Sequence, residues 1–417
     1  MREMKDSGVE WIGEIPCDWK LERSQWHLEE VNISNNPIQT NNVLSLTNKL
    51  GVVPYEEKGN QGNKSKENVY EYKLAYPNTI VANSMNILIG SVGLCDYFGC
   101  VSPVYYVFRA KKYNNIKFLN YVFQTVGFQR ELRKYANGIL EIRLRVSSSD
   151  ILKRFIPFPS EIEQQRIAEF LDRECGKIDG LKADIQTQID TLEQYKRSVI
   201  TEAVIHGLNP SAPMKDSGIP WVGQFPTHWT KKKGKYILRY MSKPVKQDDG
   251  VITCFRDGEV TLRSNRREDG FTMADKEIGY QGVDVGDLVV HGMDGFAGAI
   301  GISDSRGKAS PVLNVLNTKQ NKKYIMYYLR SMAYGEVFTA LSTGIRVRSC
   351  DLRWNKLAEL LYPLPPIDEQ NNIVNYIDEQ IARTNEIIAD KKSQIETLDG
   401  YKKSLIYEYV TGKKEVM

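Results

Sequence analysis

Two stretches 210 residues apart decide how this chain is organised: KDSGVEWIGEIPCDWK over Lys5–Lys20 and KDSGIPWVGQFPTHWT over Lys215–Thr230. Eight of the sixteen paired residues are identical. About one match is expected by chance, because each common residue type makes up ~7% of a typical protein. The match predicts that the chain contains two copies of one structural unit.

Two further blocks match at an offset of 206 residues. PFPSEIEQQRIAEFLD over 157–172 pairs with PLPPIDEQNNIVNYID over 363–378, and LEQYKRSVITE over 192–202 pairs with LDGYKKSLIYE over 398–408. Between the blocks, residues 41–78 and 248–286 share almost nothing. Each half is therefore predicted to be a variable globular part followed by a segment that the two halves share.

The shared segments have the pattern of long helices. Residues 161–205 contain no proline, and apolar residues recur three and four positions apart, which is the heptad spacing of a coiled coil. At 1.5 Å per residue, 45 such residues would span about 67 Å. A pair of ordinary bundle helices is the alternative. The predicted seam residues are Ile178, Leu181, Ile185, Leu192, Tyr195, Ile381, Ile387, Ile395, Leu398 and Tyr401.

The predicted fold class is α+β: two mixed α/β domains separated by two long antiparallel helices that form an intramolecular coiled coil, in a pseudo-twofold tandem repeat. The antiparallel arrangement follows because a whole globular domain separates the two helices and lets the second return beside the first. The predicted boundaries are 1–159 for the first globular domain, 160–207 for the first helical spacer, 208–365 for the second domain and 366–417 for the second spacer.

Composition excludes several classes of protein. No run of apolar residues approaches the ~18 that a membrane-spanning helix needs, and the first eleven residues lack the pattern of a secretory signal. Six scattered cysteines without a C-x-x-C pair indicate reduced thiols and no zinc site. The net charge of +4 leaves a nucleic-acid partner open, because binding requires only a local basic surface.

No catalytic motif is found. A base-modifying methyltransferase would need a glycine-rich cofactor loop and an Asn-Pro-Pro-aromatic tetrapeptide, and the nearest sequence, NPSA over 209–212, is predicted to be a linker turn. No phosphate-binding G-x-x-x-x-G-K-[ST] loop occurs, and the four histidines are far apart. We predict no catalytic residue, no metal site and no cofactor in this chain.

The duplicated motifs W-x-G-x-x-P-x-x-W, P-x-P followed by E-Q, and L-x-x-Y-K-x-S resemble those of the specificity subunits of type I restriction-modification systems, over essentially the whole chain. The resemblance implies target recognition domains that each read one half of a split double-stranded DNA sequence, held apart by the helices. It also implies two methyltransferase subunits that modify adenine N6, restriction and translocase subunits bound through them, and a location in the cytoplasm of a prokaryote. S-adenosylmethionine, ATP and Mg²⁺ would then belong to the partner subunits.

Candidate DNA contacts are sought where the two copies diverge, because base contacts specify sequence whereas phosphate contacts only position the protein. Amides suit adenine and arginines suit guanine edges and phosphates. The candidates in the first domain are Asn83, Ser84, Asn86 and Tyr97, in a loop predicted over 83–99, with Arg143 and Arg145 after a glycine hinge. Those in the second domain are Arg263, Arg266, Arg267, His291, Asp294, Arg346 and Arg348.

Each candidate has a plain structural alternative. The amides could cap turns, and the arginines could be ordinary surface charge or pair with a partner protein. The opening tryptophans, such as Trp19 and Trp229, could stack on bases but are predicted to be structural, because they occur identically in both halves. A coiled-coil scaffold that binds only proteins is the alternative function, and an enzyme acting alone is the third.

Overall fold

The structure, a computed structural model, describes residues 2–47, 51–58, 68–111, 114–138, 144–266, 277–340 and 352–416. The chain divides into two compact units: unit 1 holds Met1–Ile185 and Lys392–Met417, and unit 2 holds Gln186–Lys391. The division cuts both long helices, so each unit combines one globular domain with a part of each helix.

Unit 1 contains a mixed domain whose paired strands are all antiparallel. The largest sheet has four strands in the order β4-β11-β8-β9, and the other strands pair as β1 with β2, β3 with β12, β5 with β6 and β7 with β10. The strands are β1 (Met4–Asp6), β2 (Glu14–Pro16), β3 (Lys20–Arg23), β4 (Leu28–Glu30), β5 (Leu44–Thr47), β6 (Gly51–Pro54), β7 (Lys73–Ala75), β8 (Thr79–Asn83), β9 (Val92–Cys95), β10 (Gly99–Val101), β11 (Tyr105–Ala110) and β12 (Phe155–Phe158). The helices of the domain are α1 (Ile116–Gln124), α2 (Val126–Arg133) and α3 (Ser148–Leu152).

Unit 2 repeats this plan, with a four-stranded sheet in the order β16-β23-β20-β21. Its other pairs are β13 with β14, β15 with β24, β17 with β18 and β19 with β22. The strands are β13 (Met214–Asp216), β14 (Gln224–Pro226), β15 (Thr230–Lys233), β16 (Leu238–Tyr240), β17 (Ile252–Cys254), β18 (Val260–Leu262), β19 (Gln281–Val283), β20 (Leu288–His291), β21 (Ile300–Ile302), β22 (Gly307–Ala309), β23 (Leu313–Thr318) and β24 (Leu361–Leu364). The helices are α5 (Gly234–Ile237), α6 (Lys322–Tyr334), α7 (Val337–Ala340) and α8 (Trp354–Glu359).

The duplication extends into the stretches where the two sequences share almost nothing. Each strand of unit 1 has a counterpart in unit 2, and the hairpin β5–β6 corresponds to the hairpin β17–β18. Two different sequences build the same hairpin because each supplies alternate buried apolar residues, Leu44 and Leu46 in one and Ile252 and Cys254 in the other. The predicted α+β fold class, with two domains and two long helices, is confirmed.

The central sheet of each domain is buried on both faces. Along β8, Ile80 belongs to the main core with helix α1, whereas its neighbour Val81 belongs to a smaller core under the β5–β6 hairpin. Along β20, Leu288 and Val289 divide in the same way. Because side chains alternate across a strand, two apolar neighbours in sequence hold two layers together.

The two longest helices are α4 (Glu161–His206) and α9 (Ile367–Val410), of 46 and 44 residues. Gly207 follows α4 with φ +75°, and Gly412 lies just beyond α9 with φ +70°. This left-handed conformation ends helices and strongly favours glycine. None of the helices among the described residues is both long and apolar enough to cross a membrane.

Within each unit the two long helices run antiparallel. In unit 1, Lys182 pairs with Asp399 and Lys402 with Asp179, the latter at 2.6 Å between Nζ and Oδ2. In unit 2, the Nζ of Lys196 donates to Asn385 at 2.8 Å, and Lys391 contacts Gln188. Residue numbers rise along one helix as they fall along the other, as predicted.

Part of the predicted seam is wrong. Leu181, Tyr195, Ile387 and Tyr401 are exposed by 52%, 47%, 45% and 56% and therefore lie outside the buried seam. The other predicted positions are buried or half-buried: Ile178, Ile185, Leu192, Ile381, Ile395 and Leu398. The positions that continue their heptad spacing are Lys182, Ile189, Lys196, Thr384, Ile388, Lys391 and Lys402. Four seam positions are therefore lysines, whose stems pack inward while their ammonium groups reach the facing helix.

Candidate nucleic-acid interface

The opening tryptophans attach each domain to its following helix. The indole N–H of Trp19 donates to the Glu163 carboxylate at 2.9 Å, and that of Trp229 donates to Glu369 at 3.1 Å. The two tryptophans are only 2% and 1% exposed. Base stacking requires an open ring face, so these two buried tryptophans have the structural role that the sequence predicts.

The E-Q motif provides the second element of this joint. Gln164 is fully buried: its Oε1 accepts from the Asn115 backbone N–H at 3.0 Å, and its Nε2 donates to the Pro159 carbonyl at 3.1 Å. In unit 2, Gln370 accepts from the Asn321 backbone N–H at 3.0 Å. Asn115 and Asn321 cap α1 and α6, so one glutamine ties the start of a domain helix to the start of a long helix.

A tyrosine and a lysine complete each joint on a shared aspartate. Burial, together with the hydrogen bond to the aspartate, raises the pKa of each tyrosine hydroxyl. The pairs are Tyr121–Asp172 at 2.8 Å, Lys117–Asp172 at 2.6 Å, Tyr327–Asp378 at 2.5 Å and Lys323–Asp378 at 2.6 Å. The residues of the repeated motifs therefore attach each domain to the long helix that follows it.

The amides predicted to read bases in the first domain mainly shape a turn. Asn83 ends β8, is buried, and its Oδ1 accepts from the backbone N–H groups of Met85 at 3.0 Å and Asn86 at 3.3 Å. Ser84 is also buried. The enclosure of these two side chains at the turn favours the structural alternative, in which they shape the turn. Asn86 is exposed at the start of a short 3-10 helix.

His291 does in the second domain what Asn83 does in the first. It ends β20, and its Nδ1 accepts from the backbone N–H groups of Met293 at 3.2 Å and Asp294 at 2.9 Å. Burial lowers the pKa of the imidazole, which keeps this nitrogen available as an acceptor. Asp294 pairs with Arg256 at 3.0 Å. His291 is therefore a turn cap, which favours a structural role, and its contact with bases stays a prediction.

The stretch 83–99 is not one loop, because β9 runs through it. Tyr97 is 38% exposed and lies beyond Cys95, which pairs with Thr79 at the start of β8. Asn83 is at the far end of β8, about 13 Å away at ~3.3 Å per residue. The structure does not bring Tyr97 together with Asn86.

The turn after β8 does meet the segment that carries Arg145. The backbone N–H of Val146 donates to the Ser84 carbonyl at 3.0 Å, and Arg145 itself is exposed. In unit 2 the N–H of Leu352 donates to the Gly292 carbonyl at 2.8 Å. The predicted contacts Arg143, Arg267, Arg346 and Arg348 lie outside the described residues.

The arginines near β18 already have partners. Arg266 pairs with Asp257 at 2.7 Å and Glu259 at 3.0 Å, and its guanidinium lies 4.2 Å from the centre of the Phe255 ring. Arg263 is half-buried, with its Nε 3.4 Å from Thr253. Arg266 is held as a local salt bridge, so a base contact would have to displace two carboxylates.

Unit 1 contains a groove that was not predicted from the sequence, named the cationic groove. It has a volume of about 340 Å³, and its walls include Arg23, Lys153, Arg154, Tyr135 and Phe155. The only signal in the sequence is the basic pair Lys153-Arg154 beside an aromatic residue, which by itself resembles an ordinary surface.

No cluster of three or more histidine, cysteine, aspartate or glutamate side chains that could hold a metal ion occurs among the described residues. Among the described residues, the candidate surface of unit 1 consists of a capped turn and the adjoining segment with exposed Arg145, and that of unit 2 includes the corresponding capped turn. Such a surface can contact a ligand by hydrogen bonds and charge.

Solved structures with the same fold show which class of protein this chain resembles. It superposes with a TM-score of 0.67 on a chain from a structure described as the structural basis of complex assembly and conformational transition of the type I R-M system, at 12% identity over 96% of this chain and 99% of that one. The HsdS subunit from Thermoanaerobacter tengcongensis superposes with a TM-score of 0.48, at 12% identity over 96% and 98% of the two chains. Only the first is close enough to establish a shared fold.

Among curated proteins, the chain is similar to the type I restriction enzyme StySPI specificity subunit of Salmonella potsdam. The two are 19% identical over 320 residues, which cover 73% of this chain and 67% of the relative. No protein-family model matches the chain. The resemblance to type I specificity subunits that the motifs predict is confirmed.

Proposed function

We propose that this chain is the non-catalytic DNA-recognition subunit of a type I restriction-modification complex, and that its two domains read the two halves of a split target. The observation that carries the proposal is that the same framework occurs in both domains, whereas the side chains on its surface differ. Asn83 and His291 cap the same turn, yet the residue that follows three positions later is an exposed asparagine in one domain and an aspartate paired with Arg256 in the other.

Equal frameworks with unequal surface side chains suit two recognition domains for different sequences. The framework orients each domain on the duplex, and the side chains that differ supply sequence discrimination. A protein-only scaffold would have no need for a capped turn beside a basic segment in both domains. The long helices α4 and α9 would set the distance between the two half-sites.

The helices also offer two matching places for partner subunits. In unit 1 the ion pairs of the helices place Leu181 and Tyr401 at the same level, and both are about half exposed. In unit 2, Ile387 and Tyr195 are related in the same way. Exposed apolar residues on otherwise polar helices favour protein contacts. Two equal sites on one chain suit two copies of one partner, a methyltransferase subunit, with restriction subunits bound through it.

In this proposal the partner subunits carry out the chemistry. Methylation of adenine N6 with S-adenosylmethionine, and cleavage with ATP and Mg²⁺, would belong to them. This chain positions them on DNA by its own contacts.

The test is an exchange of one recognition domain. Residues 248–362 are replaced by the matching segment of another specificity subunit, and methylated adenines are mapped across the host genome by sequencing. We expect only one half of the methylated target to change. The reciprocal exchange in the first domain is the control and should change the other half. A change in both halves, or in neither, would contradict the two-reader proposal.

A further inference from the structure

The cationic groove of unit 1 carries positive charge that the protein itself does not neutralise. Its two acidic residues, Glu10 and Glu131, both bind Lys134, each at 2.9 Å. Among the described residues, no carboxylate lies within ion-pair distance of Arg23 or Lys153. Lone cations at a surface are common, but several converging on one groove form an anion-binding surface.

Two of the cations are arginines that lie over aromatic rings. The guanidinium of Arg154 lies 3.4 Å from the centre of the Tyr135 ring and donates through Nε to the Asp150 carbonyl at 3.0 Å. That of Arg23 lies 5.2 Å from the centre of the Phe155 ring. A guanidinium over a ring is restricted in direction and can still donate N–H groups that the protein does not use, which suits contact with phosphate oxygens.

The described residues of unit 2 do not repeat these charges at the equivalent positions. Arg23 corresponds to Lys233, but Lys153 corresponds to Glu359, which pairs with both Lys233 at 2.7 Å and Lys235 at 2.8 Å. Leu360 and Leu361 stand where unit 1 has Arg154 and Phe155. The repeated framework therefore does not require these charges, and a partner that docks equally on both units would not use them.

The groove adjoins the basic segment already considered for DNA contact. Tyr135 lies just after α2, and Lys153 lies just after α3, so the groove stands at the base of the segment that carries Arg145. We propose that the cationic groove binds phosphates of the DNA backbone and anchors the first recognition domain on the duplex, without a counterpart in the second. This inference rests on the proposed function.

The test measures the salt dependence of DNA binding by the complete complex with its methyltransferase subunits. The double variant Arg23→Gln, Lys153→Gln should lower the slope of log affinity against log salt by about 1.8, which is roughly 60-fold in affinity at 0.1 M salt, for two lost phosphate contacts. The loss should be equal for target and random duplexes, because phosphate contacts do not read sequence. A slope within about 0.3 of the wild-type value overturns the proposal.

Matched controls separate the groove from general charge and from folding. Lys177→Gln removes an exposed lysine from α4, where it pairs with Glu174, and should leave the slope unchanged. Lys153→Glu reproduces the acid of unit 2 beside Arg23, so it should keep the fold and still lose the contact. Thermal unfolding of each variant checks that the fold is intact.

Two further outcomes are decisive. If thymidine 5′-monophosphate binds the wild-type complex, and the groove variants lose that binding while keeping the wild-type DNA slope, the groove serves a free nucleotide and the proposal is overturned. If the wild-type complex binds its methylated target sequence no more tightly than random DNA, the proposed function fails first. The two failures are therefore distinguishable.

Discussion

Gln164 allows a direct test of whether the repeated E-Q motif is an architectural joint. Replacing this fully buried side chain with alanine deprives two backbone groups of their partners, the half-buried Asn115 N–H and the buried Pro159 carbonyl. A buried polar group left unpaired costs about 1 to 3 kcal/mol. We therefore expect Gln164→Ala to lower the free energy of unfolding of unit 1 by about 2 to 5 kcal/mol.

The neighbouring residue provides the matched control. Gln165 is exposed, and its Oε1 accepts from the Asn115 side chain in contact with water, so its replacement with alanine should cost no more than about 1 kcal/mol. Because a chain of two units need not unfold in one step, urea unfolding should be combined with hydrogen exchange. Exchange should accelerate in α1 for Gln164→Ala and in α6 for Gln370→Ala. If Gln164→Ala costs no more than Gln165→Ala, the joint does not hold the domain to its helix.

Two other perturbations test charge and docking. In unit 2, Lys243 and Arg306 lower the pKa of Asp284 to about 2 from 3.8, so the stabilisation it provides should be complete above pH ~4 and lost as the pH falls towards 2. Asp284→Asn should remove this part of the acid dependence of the urea midpoint, and an unaltered dependence would contradict the pairing. Leu181→Ser and Ile387→Ser should each remove one methyltransferase copy, measured as the mass of the complex. Loss of both copies from either change, or of neither, would contradict separate docking sites.

The helices and their antiparallel pairing could be predicted from the sequence, but not all of their seam. A heptad pattern reports which positions are apolar, and Leu181 and Tyr195 satisfied it. The buried face also depends on the facing helix, where the carboxylate of Asp399 receives Lys182. A lysine with a long apolar stem can occupy a seam position when an acid lies opposite, and that pairing exists only in the folded protein.

The candidate site was harder to predict for a related reason. Asn83 and His291 have side chains that suit base contacts, yet both point back to the backbone of their own turn. Side-chain chemistry is a property of the residue, whereas its direction is set by the strand that precedes it. The cationic groove joins Arg23 to residues more than a hundred positions later, so no local pattern could show it.

What the sequence determined by itself is the duplication, the two mixed domains and the long helices, because repeats, periodicity and helix-ending glycines are local properties. The tertiary structure decided which of these residues meet. The identical motifs form the joints between domains and helices, and the divergent stretches form the same hairpin. Charged residues at equivalent positions form a salt bridge in one unit and line an open groove in the other. Burial and charge pairing depend on neighbours that only the folded chain brings together.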